Sequence, residues 1–156
     1  MWLKLNSGGI GIHFRIKRYG YNKSEDVYCR WCRVEVFLTS IAGWLNYGID
    51  SEVLLECEVD ELKVKLEELL NNELKEDKDL LFYEPDIEFK LKAKEKILYW
   101  IVNFWSNGTL TANYITLTLC EENIEILIKY LYLITGKLSL DSEEIHNLIK
   151  NGYIYG

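Results

Sequence analysis

The chain has 156 residues, 49% of them hydrophobic and 28% charged, with 25 acidic and 18 basic side chains. These are the proportions of an ordinary soluble protein, long enough to bury roughly 70% of its unfolded surface in one domain spanning residues 1–156. No apolar run is long enough to cross a bilayer, and a net charge of −7 disfavours nucleic acid as a partner, since an acidic surface repels phosphate.

The charge is unevenly placed. Asp50 to Glu88 carries 15 acidic residues against four lysines, net −11, whereas residues 1–49 are net +4 and residues 89–156 are neutral. Concentrated like charge confers solubility or attracts a basic partner.

Along the chain, the glycines of Gly8-Gly9-Ile10-Gly11 read as a hairpin turn, and Ile10, Ile12, Phe14 and Ile16 alternate with His13, Arg15 and Lys17 in a half-buried strand. A polar loop follows over Tyr19 to Asp26, then a strand with Cys32, Val34, Val36 and Leu38 on one face and Trp31 and Phe37 on the other. Gly43 and Asn46-Tyr47-Gly48 predict turns, and Val53, Leu55 and Cys57 a third strand. The period then changes: Leu62, Leu66, Leu69 and Leu70 form the stripe of an amphipathic helix.

Leu80 to Tyr83 predicts a short strand ended by Pro85, and Ile87, Phe89 and Leu91 the next. Ile97 to Phe104 is apolar on both faces, as in a strand covered on both sides, and Ser106-Asn107-Gly108 is a hairpin turn. The parity changes between Leu110, Ala112, Tyr114 and Ile115, Leu117, Leu119, which predicts a bulge near Asn113. A second helix carries Ile124, Leu127, Ile128 and Leu131 and stops at Gly136. Its back face, with Ile126, Tyr130 and Leu133, is expected to lie under the C-terminal segment. There Asp141 and Glu144 have capping-box spacing for a helix over Ser142 to Lys150.

A weak repeat aligns Val53, Leu55, Cys57, Leu62, Leu66 and Leu69 with Ile115, Leu117, Leu119, Ile124, Ile128 and Leu131. The expected fold is α+β, an antiparallel sheet with two main helices and a short C-terminal one, arranged as two strand-strand-helix halves.

Catalytic signals are weak. Cys29-Arg30-Trp31-Cys32 has redox spacing but no helix N-terminus to lower a thiol pKa, and it lacks partner ligands for zinc. The N-terminal stretch has no secretory pattern, so the four cysteines are expected to be reduced and the protein cytoplasmic. Gly8-Gly9-Ile10-Gly11 precedes no helix, so it is no phosphate cradle. Neither metal nor cofactor is expected. An aromatic-lined cleft around Trp31, Trp44 and Trp100 would suit a small enzyme or ligand-binding domain.

The order of features resembles the WapI-type immunity proteins of bacterial contact-dependent toxin systems. It runs from a strand over Tyr28 to Leu38 and a turn region at Trp44 and Gly48 to a helix with Glu67-Glu68-Leu69-Leu70. The most particular element follows, Phe82-Tyr83-Glu84-Pro85-Asp86-Ile87-Glu88-Phe89, and then an aromatic strand, a glycine turn, an Asn-Tyr strand and a helix. The resemblance covers roughly Tyr19 to Thr135. It implies a monomeric, cytoplasmic, non-enzymatic protein that binds a cognate toxin C-terminal domain, often a nuclease. Nucleases present basic surfaces to phosphate, so Glu67, Glu68, Glu73, Glu76, Asp77 and Asp79 are the expected contacts.

Overall fold

A computed structural model of the chain describes residues 1–20 and 30–156. Of the loop read over Tyr19 to Asp26, residues 21–26 lie outside these, as do Tyr28 and Cys29.

The first half is an antiparallel meander, β1 (Trp2–Ser7), β2 (Ile10–Lys17), β3 (Trp31–Ser40) and β4 (Asn46–Leu55), followed directly by helix α1 (Glu56–Leu70). The second repeats that order with β5 (Lys78–Leu81), β6 (Ile87–Lys92), β7 (Ile97–Ser106), β8 (Thr109–Leu119) and helix α2 (Glu121–Thr135). Helix α3 (Glu143–Lys150) and the two-residue β9 (Ile154–Tyr155) complete the described chain. The sheets have strand orders β4-β3-β2-β1-β9 and β5-β6-β7-β8, and the pairings are antiparallel. The α+β class holds, with two sheets in place of one.

Local sequence explains these elements. Gly8 and Gly9 both have positive φ, which closes β1 onto β2 with two residues, and Asn107-Gly108 closes β7 onto β8 in the same way. Asn103 faces Tyr114 and Trp105 faces Leu110, so residues 111–113 stand opposite Phe104 alone. This is the bulge expected near Asn113; the Thr111 hydroxyl fills it, donating to the Phe104 carbonyl at 2.7 Å.

One hydrophobic cluster joins both sheets and all three helices. At its centre Phe14 of the first sheet meets the Trp100 edge of the second, ring centroids 5.0 Å apart. Phe89 lies 5.0 Å from Trp100 on the other side. The Tyr130 phenol is buried but satisfied: it accepts from the Ile16 amide (3.1 Å) and donates to the Met1 carbonyl (3.2 Å). Helices α1 and α2 run antiparallel; Lys63 reaches Thr135 at one end, and Lys96 bridges the Leu70 carbonyl and Glu121 at the other. Ile145 and Leu148 of α3 are buried and α3 packs against α2, but Tyr130 on the back of α2 is covered by Phe14 and Ile16 of the first sheet, and Leu133 stays partly exposed.

Several expectations are corrected. Asn46, Tyr47 and Gly48 form no turn but open β4, where Gly48 pairs with Phe37. A Cβ at Gly48 would sit 2.6 Å from the Phe37 ring, so the glycine marks a close approach within a strand. The third strand stops at Leu55 and Cys57 lies in α1, because Glu58 turns the chain into a helix by accepting the Leu55 amide proton at 2.8 Å. Ser142 rather than Asp141 stands at the N-cap position of α3, and its side chain makes no capping hydrogen bond. Strand β7 is covered on one face only; Tyr99, Ile101 and Asn103 on the other line an open groove with Tyr114. Cysteines 32 and 120 are free, but Cys57 is disulfide-bonded, so the expectation of reduced thiols fails there.

An acidic, aromatic cleft between the two sheets

The edge strand of the first sheet and the β5–β6 connection of the second enclose a cleft of about 650 Å³. Trp31, Tyr47, Gly48, Ile49, Asp50, Ser51 and Glu52 line it from β3 and β4; Glu84, Asp86 and Trp105 line it from the other side.

Each wall is held by its own hydrogen bonds. Tyr47 is the tie between the sheets: its phenol accepts from the Trp105 amide (3.0 Å) and donates to the Asn103 carbonyl (3.4 Å), while its ring packs 4.6 Å from Phe104. Asn103 fixes the Pro85-Asp86 turn. Its side-chain amide donates to the Pro85 carbonyl (2.6 Å) and its backbone amide to the Asp86 carbonyl (2.9 Å). Upstream, Glu58 accepts the Tyr83 amide proton at 2.7 Å, and the Tyr83 ring meets Trp31 edge-on, centroids 5.7 Å apart. Tyr47 and the Trp105 backbone are thereby held in place, and Trp31 rests against the Tyr83 ring.

The cleft has a negative lining. Asp50 pairs with Arg33 at 2.7 Å and Glu52 with Arg18 at 3.7 Å, both on the solvent side. Glu84 and Asp86 have no ion pair among the described residues. Asp86 is only 9% exposed, and burial raises its carboxyl pKa above the ordinary value. Its own backbone and the Trp105 indole, both neutral, oppose that shift by hydrogen bonding.

The predicted acidic residues lie elsewhere, on the end of α1 and the connection to β5. Glu67 pairs with Lys137 (3.6 Å), Glu68 with Lys65 (2.8 Å) and Asp77 with Lys92 (3.2 Å). Asp77 also accepts the Ala93 amide proton at 3.0 Å, which fastens this connection to the β6–β7 turn. Glu73, Glu76 and Asp79 are exposed and have no ion pair among the described residues.

The aromatic trio does not assemble. Trp100 is 0% exposed in the core and Trp44 is 67% exposed on the β3–β4 turn; only Trp31 reaches the cleft, where Tyr47 and Trp105 take the expected places. Alternation marks Trp100 as an inward residue beside Leu98 and Val102, which the count of tryptophans conceals. Glu84 and Asp86 belong to the acidic run and to the Glu-Pro-Asp segment, both visible in sequence; that they face Trp31 is not.

The Cys32 thiol is buried in β3 and pushed up to about 12 by burial and by Glu56, Asp60 and Glu58, the opposite of an activated thiolate. No described group of three or more His, Cys, Asp or Glu side chains is arranged to hold a metal ion.

A family model, the immunity protein WapI-like family, matches residues 3–149. The chain belongs to this family. The match extends beyond the Tyr19–Thr135 stretch and takes in the first hairpin and α3. No curated protein and no solved structure matches the chain. Toxin immunity, exerted by binding a toxin and not by catalysis, is what membership of the WapI-like family suggests. No helix in the described residues is long and apolar enough to cross a membrane.

Proposed function

We propose that this WapI-like protein binds the C-terminal domain of its cognate toxin, a nuclease, and neutralises it non-covalently as a monomer through an acidic surface. Family membership over residues 3–149 carries the reading. The charge distribution supports it: Glu73, Glu76 and Asp79 are exposed without an ion pair among the described residues, with Glu67, Glu68 and Asp77 beside them in local pairs. A nuclease surface built for phosphate is complementary to such a face, and steering of this kind accelerates encounter. The protein acts in the cytoplasm, a placement that rests on where a nuclease finds its substrate rather than on the thiols.

The test is association with the toxin domain across salt concentration. The triple reversal Glu73→Lys, Glu76→Lys, Asp79→Lys is expected to slow association by about tenfold or more at low salt and to flatten its salt dependence. Unchanged kinetics would remove this face from recognition; absence of binding by the unaltered protein would overturn the immunity reading itself.

A further inference from the structure

We infer that the cleft between the sheets is a receptacle for one arginine side chain projecting from the partner protein, with Trp31 and Trp105 beside its guanidinium and Glu84 and Asp86 as its acceptors. The inference rests on the immunity reading for the identity of the partner, but its geometry is independent of that reading.

Five observations converge. Within the cleft, Asp86 is nine-tenths buried, and the donors that oppose its raised pKa are neutral; Glu84 beside it has no ion pair among the described residues. A buried carboxylate without a counter-charge is costly, and a cation entering the cleft would remove that cost. Trp31, Tyr47 and Trp105 present aromatic surface in the same space, and a planar guanidinium is the cation that both stacks on rings and bridges carboxylate oxygens. The walls are already fixed by Tyr47, Asn103 and Glu58, so little ordering is needed on binding. The volume of about 650 Å³ admits a long side chain and is open to solvent at its mouth. Arg33 and Arg18 at the rim are engaged with Asp50 and Glu52 rather than with Glu84 or Asp86.

The occupant is distinguished from the steering face by what each variant changes. A buried anchor governs dissociation, whereas a solvated charge governs association. The first experiment uses the full chain with indole nitrogens labelled, titrated with N-acetyl-arginine amide and, as a neutral isostere, N-acetyl-citrulline amide. Saturable shifts confined to the Trp31 and Trp105 indole signals with arginine only, abolished in Glu84→Gln/Asp86→Asn, are expected. An equal response to citrulline, or no response, overturns the receptacle.

The second experiment measures toxin-domain binding by the same variant and by Glu84→Gln alone, whose half-buried, unpaired side chain makes misfolding a poor explanation. The double variant is expected to weaken affinity by about 30-fold or more, chiefly through faster dissociation. Unaltered affinity would exclude the cleft from the interface while leaving the immunity reading intact. If the unaltered protein fails to bind the toxin domain, that reading falls, and the indole titration alone decides the cleft.

Discussion

Two buried carboxylates sit in opposite electrostatic settings and should respond oppositely to pH. Glu35, 7% exposed on the outer side of the first sheet, accepts from Arg15 and from Lys17 (3.0 Å), and Arg15 in turn stacks 4.3 Å over the Trp2 ring. The Arg15 hydrogen bond holds its pKa below the ordinary value despite desolvation. Its stabilisation is therefore present above the unfolded carboxyl pKa and lost as pH falls through the folded one. Glu35→Gln is expected to cost about 1–3 kcal/mol at neutral pH, and the deficit should shrink on acidification when unfolding is followed in urea. Asp86 has a raised pKa, so the contribution reverses: its folded state is favoured below the unfolded pKa and penalised as pH rises through the folded value. Asp86→Asn should therefore melt no lower than the unaltered protein at neutral pH, and higher if the penalty is fully expressed. A clear loss of melting temperature there would contradict the account of a carboxylate held in the cleft against its own stability. Gly48 offers a third residue-scale test. Gly48→Ala should destabilise by about 1 kcal/mol through the clash with Phe37, and Phe37→Ala in the same chain should relieve it, measured as coupling in a double-mutant cycle.

Among the elements, α1 links the fold to the site. Glu58 accepts from Leu55, which starts the helix, and from Tyr83, which anchors the Glu-Pro-Asp segment. Glu58→Ala is expected to cost about 1–2 kcal/mol of stability and also to loosen Tyr83 from Trp31, visible as a change in tryptophan fluorescence. The elements legible in sequence were those whose signal is local. The turns at Gly8-Gly9 and Asn107-Gly108, the α2 stripe ending at Gly136 and the bulge opposite Phe104 are fixed by backbone chemistry or periodicity. The failures depend on partners distant in sequence. Tyr47-Gly48 reads as a turn because its fit against Phe37 is a cross-strand matter, and Cys57 continues an alternating pattern that the Glu58 cap interrupts. The site was half legible. Its carboxylates lie in the acidic run, but their meeting with Trp31 and Trp105 requires two sheets to be brought together.

At the scale of the whole molecule, two meander-and-helix halves share one core, and the acidic middle of the chain is distributed over two places on its surface. The face at Glu73, Glu76 and Asp79 stays in water, while the cleft at Glu84 and Asp86 is partly withdrawn from it. Raising salt should thus slow association far more than it speeds dissociation, since screening acts mainly on exposed charge. Whether the Cys57 disulfide forms in the cell bears on compartment. Alkylation mapping of the protein taken from cells should find this thiol reduced if the cytoplasm is its home, because that compartment keeps thiols reduced.

The tie made by Tyr47 has a further consequence. One phenol oxygen joins the lip of the first sheet to Asn103 and Trp105 of the second, so the width of the cleft is set by how the halves sit rather than by either alone. Glu84 and Trp105, by contrast, hang from a turn and a strand end outside the hydrophobic cluster. Exchanging them alters what the cleft accepts without moving a core side chain. On the proposed reading, partner choice and foldability would be adjusted by different residues, which suits a protein whose target can change while its scaffold must endure.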